Sequence, residues 1–199
     1  MFRRTLLYIA VISSLASCQI AYSGVITRTD FGTSARVVDF NGLPLRFFQN
    51  GPLVIDGDQY TSDDGVFRYT DSFGRFLSTT GEGLGNNTDL GFIDIRLSQK
   101  VHRAGLVVGR GLTDVQFFDE SDNLLGVVSV SDPNRGVFAA WESVAGNIAR
   151  LRAIDRSARE VLLIDDLITE RIAAVPEPSA FATVAALFTC ACGWRRRAI

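Results

Sequence analysis

The sequence predicts an all-β domain, a β-sandwich or jelly roll, with an N-terminal signal peptide before it and a short C-terminal transmembrane helix after it. Three observations carry the fold class. Between Val25 and Ile168, short β-prone runs are broken at close intervals by Gly, Asn and Asp. Several runs alternate with period two: Ile93, Ile95 and Leu97 face one way, Asp94 and Arg96 the other. No stretch keeps a helical repeat over enough turns to compete, and 18 Gly beside 14 Phe suits turns around a sheet core.

The elements follow in order. Arg36–Phe40 and Gly65–Tyr69 open the series, followed by Phe92–Leu97, Gly105–Val108 and Val115–Phe118. Leu124–Val130, Val137–Trp141, Ile148–Ile154 and Val161–Ile168 complete it. The segment Val115–Gly126 reads as a hairpin, because the polar run Asp119–Asn123 is rich in residues that reverse a chain. The acidic stretch Asp56–Gly65 reads as a solvated turn, with an irregular Ca²⁺ loop as the alternative. It does not fit an EF-hand, whose sixth position must be Gly and twelfth Glu; here they are Thr61 and Phe67. The Gly-rich stretch Thr79–Asn87 reads as an exposed loop, including the formal glycosylation sequon at Asn86-Asn87-Thr88. Tyr60, Tyr69 and Trp141 are the aromatics least committed to a core, and hence candidates for stacking on a sugar.

Both ends read as addresses. Arg3 and Arg4 precede an apolar run from Leu6 to Ala16, and small residues follow up to Gly24. This is the pattern of a secretory signal peptide, residues 1–23, with signal peptidase cutting after Ala21-Tyr22-Ser23. The rival is a lipoprotein leader: Leu15-Ala16-Ser17-Cys18 resembles a lipobox, in which Cys18 would be lipidated and become the new N-terminus. At the other end, Pro176, Glu177 and Pro178 form a motif that can continue neither helix nor strand. An apolar run from Ala180 to Gly193 follows, shorter than the ~20 residues of a full span. Trp194 suits the membrane interface, and Arg195, Arg196 and Arg197 form a basic stop on the cytoplasmic side.

Pro-Glu-Pro, a hydrophobic stretch and a terminal Arg cluster, in that order, resemble the PEP-CTERM sorting domain over residues 175–199. The resemblance implies that an exosortase, a membrane-embedded transpeptidase-like protease, recognises Pro176, Glu177 and Pro178. It also implies a transient hold in the inner membrane of a Gram-negative-type bacterium, then release to the cell surface or extracellular matrix. The strand order ending in Leu163-Ile-Asp-Asp-Leu167 resembles the jelly-roll domains common in PEP-CTERM proteins, themselves similar to carbohydrate-binding modules. That likeness implies a non-catalytic association with exopolysaccharide. In similar jelly rolls a structural Ca²⁺ ties the first strand to the last, and Asp39, Asp165 and Asp166 are the matching candidates. The alternative is that one Asp faces solvent while another caps a turn.

Charge and cysteine usage narrow the function of the domain at residues 24–174. The whole chain carries a formal charge of −2, but the terminal segments hold five basic residues and one acid. The domain is left with 15 basic and 21 acidic residues, a net charge of −6, which has no field to draw in DNA or RNA. All three cysteines, Cys18, Cys190 and Cys192, lie in the terminal segments, so the domain has no disulfide, thiolate metal site or nucleophilic Cys. His102 is the single histidine, which excludes a zinc site with two His ligands. No Gly-x-Ser-x-Gly elbow surrounds any serine. The reading is therefore a binding or structural domain without catalytic residues. The alternative is an extracellular carbohydrate-active enzyme using two carboxylates, whose spacing in space no sequence reveals.

Overall fold

The computed structural model describes residues 23–40, 47–49, 52–63, 66–70, 83–109, 111–132, 136–157 and 161–171, with backbone alone at 47–49, 66–70, 87–89, 132 and 161. The leader with Cys18, and the tail with Pro176, Glu177, Pro178 and Arg195–Arg197, lie outside the described residues. No helix among the described residues is long and apolar enough to cross a membrane.

Fourteen strands are described: β1 (Gly24–Val25), β2 (Arg36–Val38), β3 (Phe47–Gln49), β4 (Leu53–Ile55), β5 (Asp58–Ser62), β6 (Val66–Thr70) and β7 (Gly83–Asp89) in the first half. The second half holds β8 (Phe92–Val101), β9 (Arg103–Val108), β10 (Gly111–Phe118), β11 (Leu124–Asp132), β12 (Val137–Glu142), β13 (Ile148–Asp155) and β14 (Val161–Glu170). They form two antiparallel sheets. The larger runs β1-β12-β9-β14-β7-β6-β3, with β2 also paired to β14; the smaller runs β11-β10-β13-β8-β5-β4. The predicted all-β class is therefore observed, as two sheets sharing one core in the manner of a β-sandwich.

The period-two pattern of β8 does what the sequence requires of it. Ile93 and Ile95 are fully buried and Leu97 packs against the core, while Arg96 is exposed and Asp94 is buried against Arg150 and Arg152. Phe117 of β10 stacks across the sheets on Trp141 of β12, with ring centroids 6.3 Å apart and planes at 25°. Gly126 makes room for that ring, since a Cβ there would lie 2.5 Å from it. At the other end of the core Phe40 meets Tyr60 edge-on at 5.7 Å. The hairpin of β10 and β11 is also as predicted: the Asp119 carboxylate accepts the N–H groups of Ser121 and Asn123, both at 2.9 Å.

Three sequence expectations need correction. Among the described residues of the acidic stretch, Asp56-Gly57 and Asp63 are turns; Asp56 and Gly57 have positive φ (50° and 86°), as a two-residue hairpin between β4 and β5 demands. Asp58–Ser62 is a strand whose Asp58, Tyr60 and Ser62 turn inward. Second, residues 83–87 of the predicted loop belong to β7, held between β6 and β14. Its Asn86 is buried, and its side-chain carbonyl accepts the Leu162 N–H at 3.0 Å where the β7–β14 ladder slips register. Third, Tyr60 is a core residue with no exposed surface, and Trp141 packs on the core; neither is free to stack on a sugar. The Tyr69 side chain lies outside what is described.

The outer face of the larger sheet is covered by the chain that follows β1. Phe31 sits edge-on to Phe138 at 5.9 Å, above a small apolar cluster with Val107 and Leu163. Beside it Arg103 bridges Glu142 at 3.0 Å and Glu170 at 3.2 Å, its cross-strand neighbours on both sides. Glu170 also accepts the Gly32 N–H at 3.0 Å, fastening the covering segment down.

Candidate functional site

The clearest opening among the described residues is a cleft of about 440 Å³ at one margin of the sandwich, within the ~300–1,000 Å³ usual for small-ligand sites. Each sheet supplies a wall. From the larger sheet come Arg36 of β2 and Thr169 and Arg171 at the end of β14; from the smaller come Asp56 of the β4–β5 turn and Ser98 and Gln99 of β8.

The floor of the cleft is an ion pair between the sheets. Arg36 shares the inward parity of Val38 and Phe40, so its side chain points between the layers, where hydrocarbon would be expected. Its guanidinium pairs with Asp58, a carboxylate with no solvent exposure. It also donates to the Asp56 carbonyl at 3.1 Å and to the Thr169 hydroxyl at 3.3 Å. The second Asp58 oxygen accepts the Ser98 N–H at 2.7 Å. A buried carboxylate needs this degree of satisfaction to stay charged. Tyr60 lies beside it, and burial first, then the Asp58 charge, pushes the phenol far above its ordinary range.

Above that floor the groups are uncommitted. Among the described residues Arg171 makes no hydrogen bond or ion pair, and the same holds for the side chains of Gln99, Ser98 and Asp56. A second opening of about 220 Å³ over β8 and the β10–β11 hairpin differs in this respect. There Lys100 is bound to Glu120 at 2.6 Å, and Arg150 is held by Asp94 and Asp122. Arg150 and Arg152 also lie over the rings of Phe118 and Phe92, at 4.3 and 4.6 Å. The charges on that face are already paired with one another.

The three aspartates proposed for Ca²⁺ are placed near one another in register, but two of them, Asp165 and Asp166, are otherwise engaged. Val38 pairs with Leu167, so the next residue, Asp39, falls at the level of Asp166 and is exposed. Asp166 sits in a β-bulge with φ 43°, and its carboxylate binds Arg28 at 2.9 Å. Asp165 is buried and caps the Asp166 N–H at 2.8 Å. Among the described residues no group of three or more His, Cys, Asp or Glu side chains is placed to hold a metal ion.

Candidate catalytic pairs can be followed in the same way. Glu142 and Glu170 face one residue of β9 from its two neighbouring strands, but that residue, Arg103, engages both and neither lines either opening. His102 is fixed through its backbone: its N–H donates to the Glu170 carbonyl at 3.0 Å and its carbonyl accepts the Ser143 N–H at 2.7 Å. Its Nδ1 is buried without a partner among the described residues, so no carboxylate orients the ring as a triad requires.

Several carboxylates are tuned by local bonds. The Ser129 hydroxyl, then Arg156, hold Asp114 below the ordinary carboxylate range. Asp30 is lowered by the Thr27 N–H and hydroxyl, and Asp119 by Asn123. As pH falls the unfolded chain therefore takes up protons first, and the stability these carboxylates contribute at neutral pH is lost. The melting temperature is expected to stay level between about pH 7 and 5 and to drop below about pH 4. Asp114→Asn should lower the neutral-pH value and soften the drop; an unchanged pH profile would remove Asp114 from this account.

A scan against protein-family models finds no match to this chain, and a search of curated proteins finds no similar one.

Proposed function

We infer that this chain is an exported envelope protein, received by an exosortase at its tail, whose two-sheet domain associates with exopolysaccharide without turning it over. The observation that carries the reading is the order of signals at the chain end: Pro176-Glu177-Pro178, a short apolar run, then Arg195–Arg197. A permanent anchor needs about 20 apolar residues, and a shorter one preceded by an accessible Pro-rich motif suits a hold that is later cut. The leader with Arg3 and Arg4 sends the chain to the same membrane. The likeness to jelly-roll carbohydrate-binding modules gives the domain its task. An open cleft lined by hydroxyl, amide, guanidinium and carboxylate groups supports it, because sugar hydroxyls are recognised by such mixed donors and acceptors.

The test is a sorting experiment in a bacterium that carries an exosortase. The natural chain is expected in the matrix or cell-surface fraction, shortened at its C-terminus. The double variant Pro176→Ala/Glu177→Ala is expected to accumulate at full length in the inner-membrane fraction. If the variant is shortened and released like the natural chain, the sorting role of the motif is lost. Release of reducing ends from the host's exopolysaccharide by the purified protein would instead favour the carbohydrate-active enzyme.

A further inference from the structure

The cleft between the sheets is polarised, and its polarity specifies a ligand more narrowly than exopolysaccharide in general. Arg171 stands on the wall made by β14, exposed and without a partner among the described residues. Asp56 stands on the opposite wall, in the β4–β5 turn, with its carboxylate equally uncommitted. The polar groups of Ser98 and Gln99 line the same wall as Asp56. The charge of Arg36 is already answered by Asp58 beneath, so it shapes the floor and leaves the free cation to Arg171.

We propose that the cleft binds a uronate unit of an acidic polysaccharide, its carboxylate on Arg171 and its ring hydroxyls on Asp56. A guanidinium takes a carboxylate through two parallel N–H bonds, which fixes orientation as well as charge. A carboxylate accepts hydroxyl protons and repels a second anion, so Asp56 requires the uncharged edge of the ring on its side. A uronic acid carries those two edges on one pyranose, and a neutral hexose carries only the second. The domain's net charge of −6 gives no general attraction for polyanions, so the preference must come from this local arrangement.

This inference rests on the reading of the cleft as a glycan site, and one experiment separates the two. The full chain in detergent micelles is titrated with oligogalacturonate, with the same oligosaccharide after chemical reduction of its carboxylates to primary alcohols, and with the host's own exopolysaccharide. Binding of oligogalacturonate is expected to weaken about tenfold or more on carboxyl reduction, and by a similar factor in Arg171→Ala. Asp56→Asn should weaken both the acidic and the reduced oligomer. Neither residue's side chain makes a hydrogen bond or ion pair with another described residue, and the melting temperature of each variant serves as the folding control. Equal binding of the native and reduced oligomers, unaffected by Arg171→Ala, would overturn the uronate preference and leave the glycan site standing. Failure to bind any of the three glycans would overturn both.

Discussion

Replacing Arg36 with Met is expected to destabilise the domain by about 3 kcal/mol, the lower end of what removing one partner of a buried ion pair costs. The lower end applies because the Arg36 side chain is 37% exposed and the cleft admits water, whereas Asp58 is wholly enclosed. The loss arises mainly from the carboxylate left behind. Asp58 would keep its bond from the Ser98 N–H but have no cation, in a position framed by Tyr60 and the core. The double variant Arg36→Met/Asp58→Asn should therefore be more stable than Arg36→Met alone, since the stranded charge is gone. Denaturant titration of the two single variants and the double one measures this. Simple additivity of the single losses would show that the pair contributes no coupling across the sheets.

The second large effect lies at the other end of the core. Phe117→Ala is expected to cost about 3–5 kcal/mol, the range for truncating a fully buried aromatic. Phe117 has no exposed surface and backs the ring of Trp141. Removing it opens a cavity at the point where β10 faces β12, and Gly126 on β11 offers no side chain to fill it. Trp141 fluorescence supplies the second readout, with a shift to longer wavelength as water reaches the ring; Trp194 in the tail is the other indole and can be replaced by Phe as background. A loss under about 1 kcal/mol would mean that the two sheets close over the gap.

How much of this was legible in the sequence depended on whether a strand advertises itself through its own side chains. β8 did, because its apolar residues recur at every second position. The β10–β11 hairpin did as well, because Asp119 carries its own turn chemistry. β7 did not: Gly83-Leu-Gly-Asn-Asn-Thr-Asp89 has little intrinsic strand preference, and its conformation is imposed by the neighbours β6 and β14. β5 was hidden for a different reason. Its inward positions are Asp58, Tyr60 and Ser62, so hydropathy alone marks it as surface. Asp56-Gly57, the strongest short hairpin signal there is, was present in plain view within that acidic run.

The candidate site was less readable. Arg36, with the same parity as Val38 and Phe40, is the one trace it left: an arginine on the inward face of a strand implies a buried partner. Which acid that is, and that Arg171 and Asp56 meet across a cleft, depends on pairings between opposite ends of the domain. The aspartates at 165 and 166 stood out in the sequence through the likeness to jelly rolls that tie first strand to last with Ca²⁺. The bulge accounts for them, with Asp165 capping the backbone and Asp166 in a left-handed conformation that Asp tolerates.

The place of β14 has a consequence in time. The last of the described strands to be made lies inside the larger sheet, with β9 along one edge and β7 and β2 along the other. A polypeptide that emerges N-terminus first, from a ribosome or through a translocation pore, cannot join β9 to β7 and β2 through β14 until residue 170 is out. Contacts so remote along the chain also close slowly. The smaller sheet can pair without β14, but the larger one stays open until the ten residues of β14 arrive, and they act as the key that shuts the sandwich.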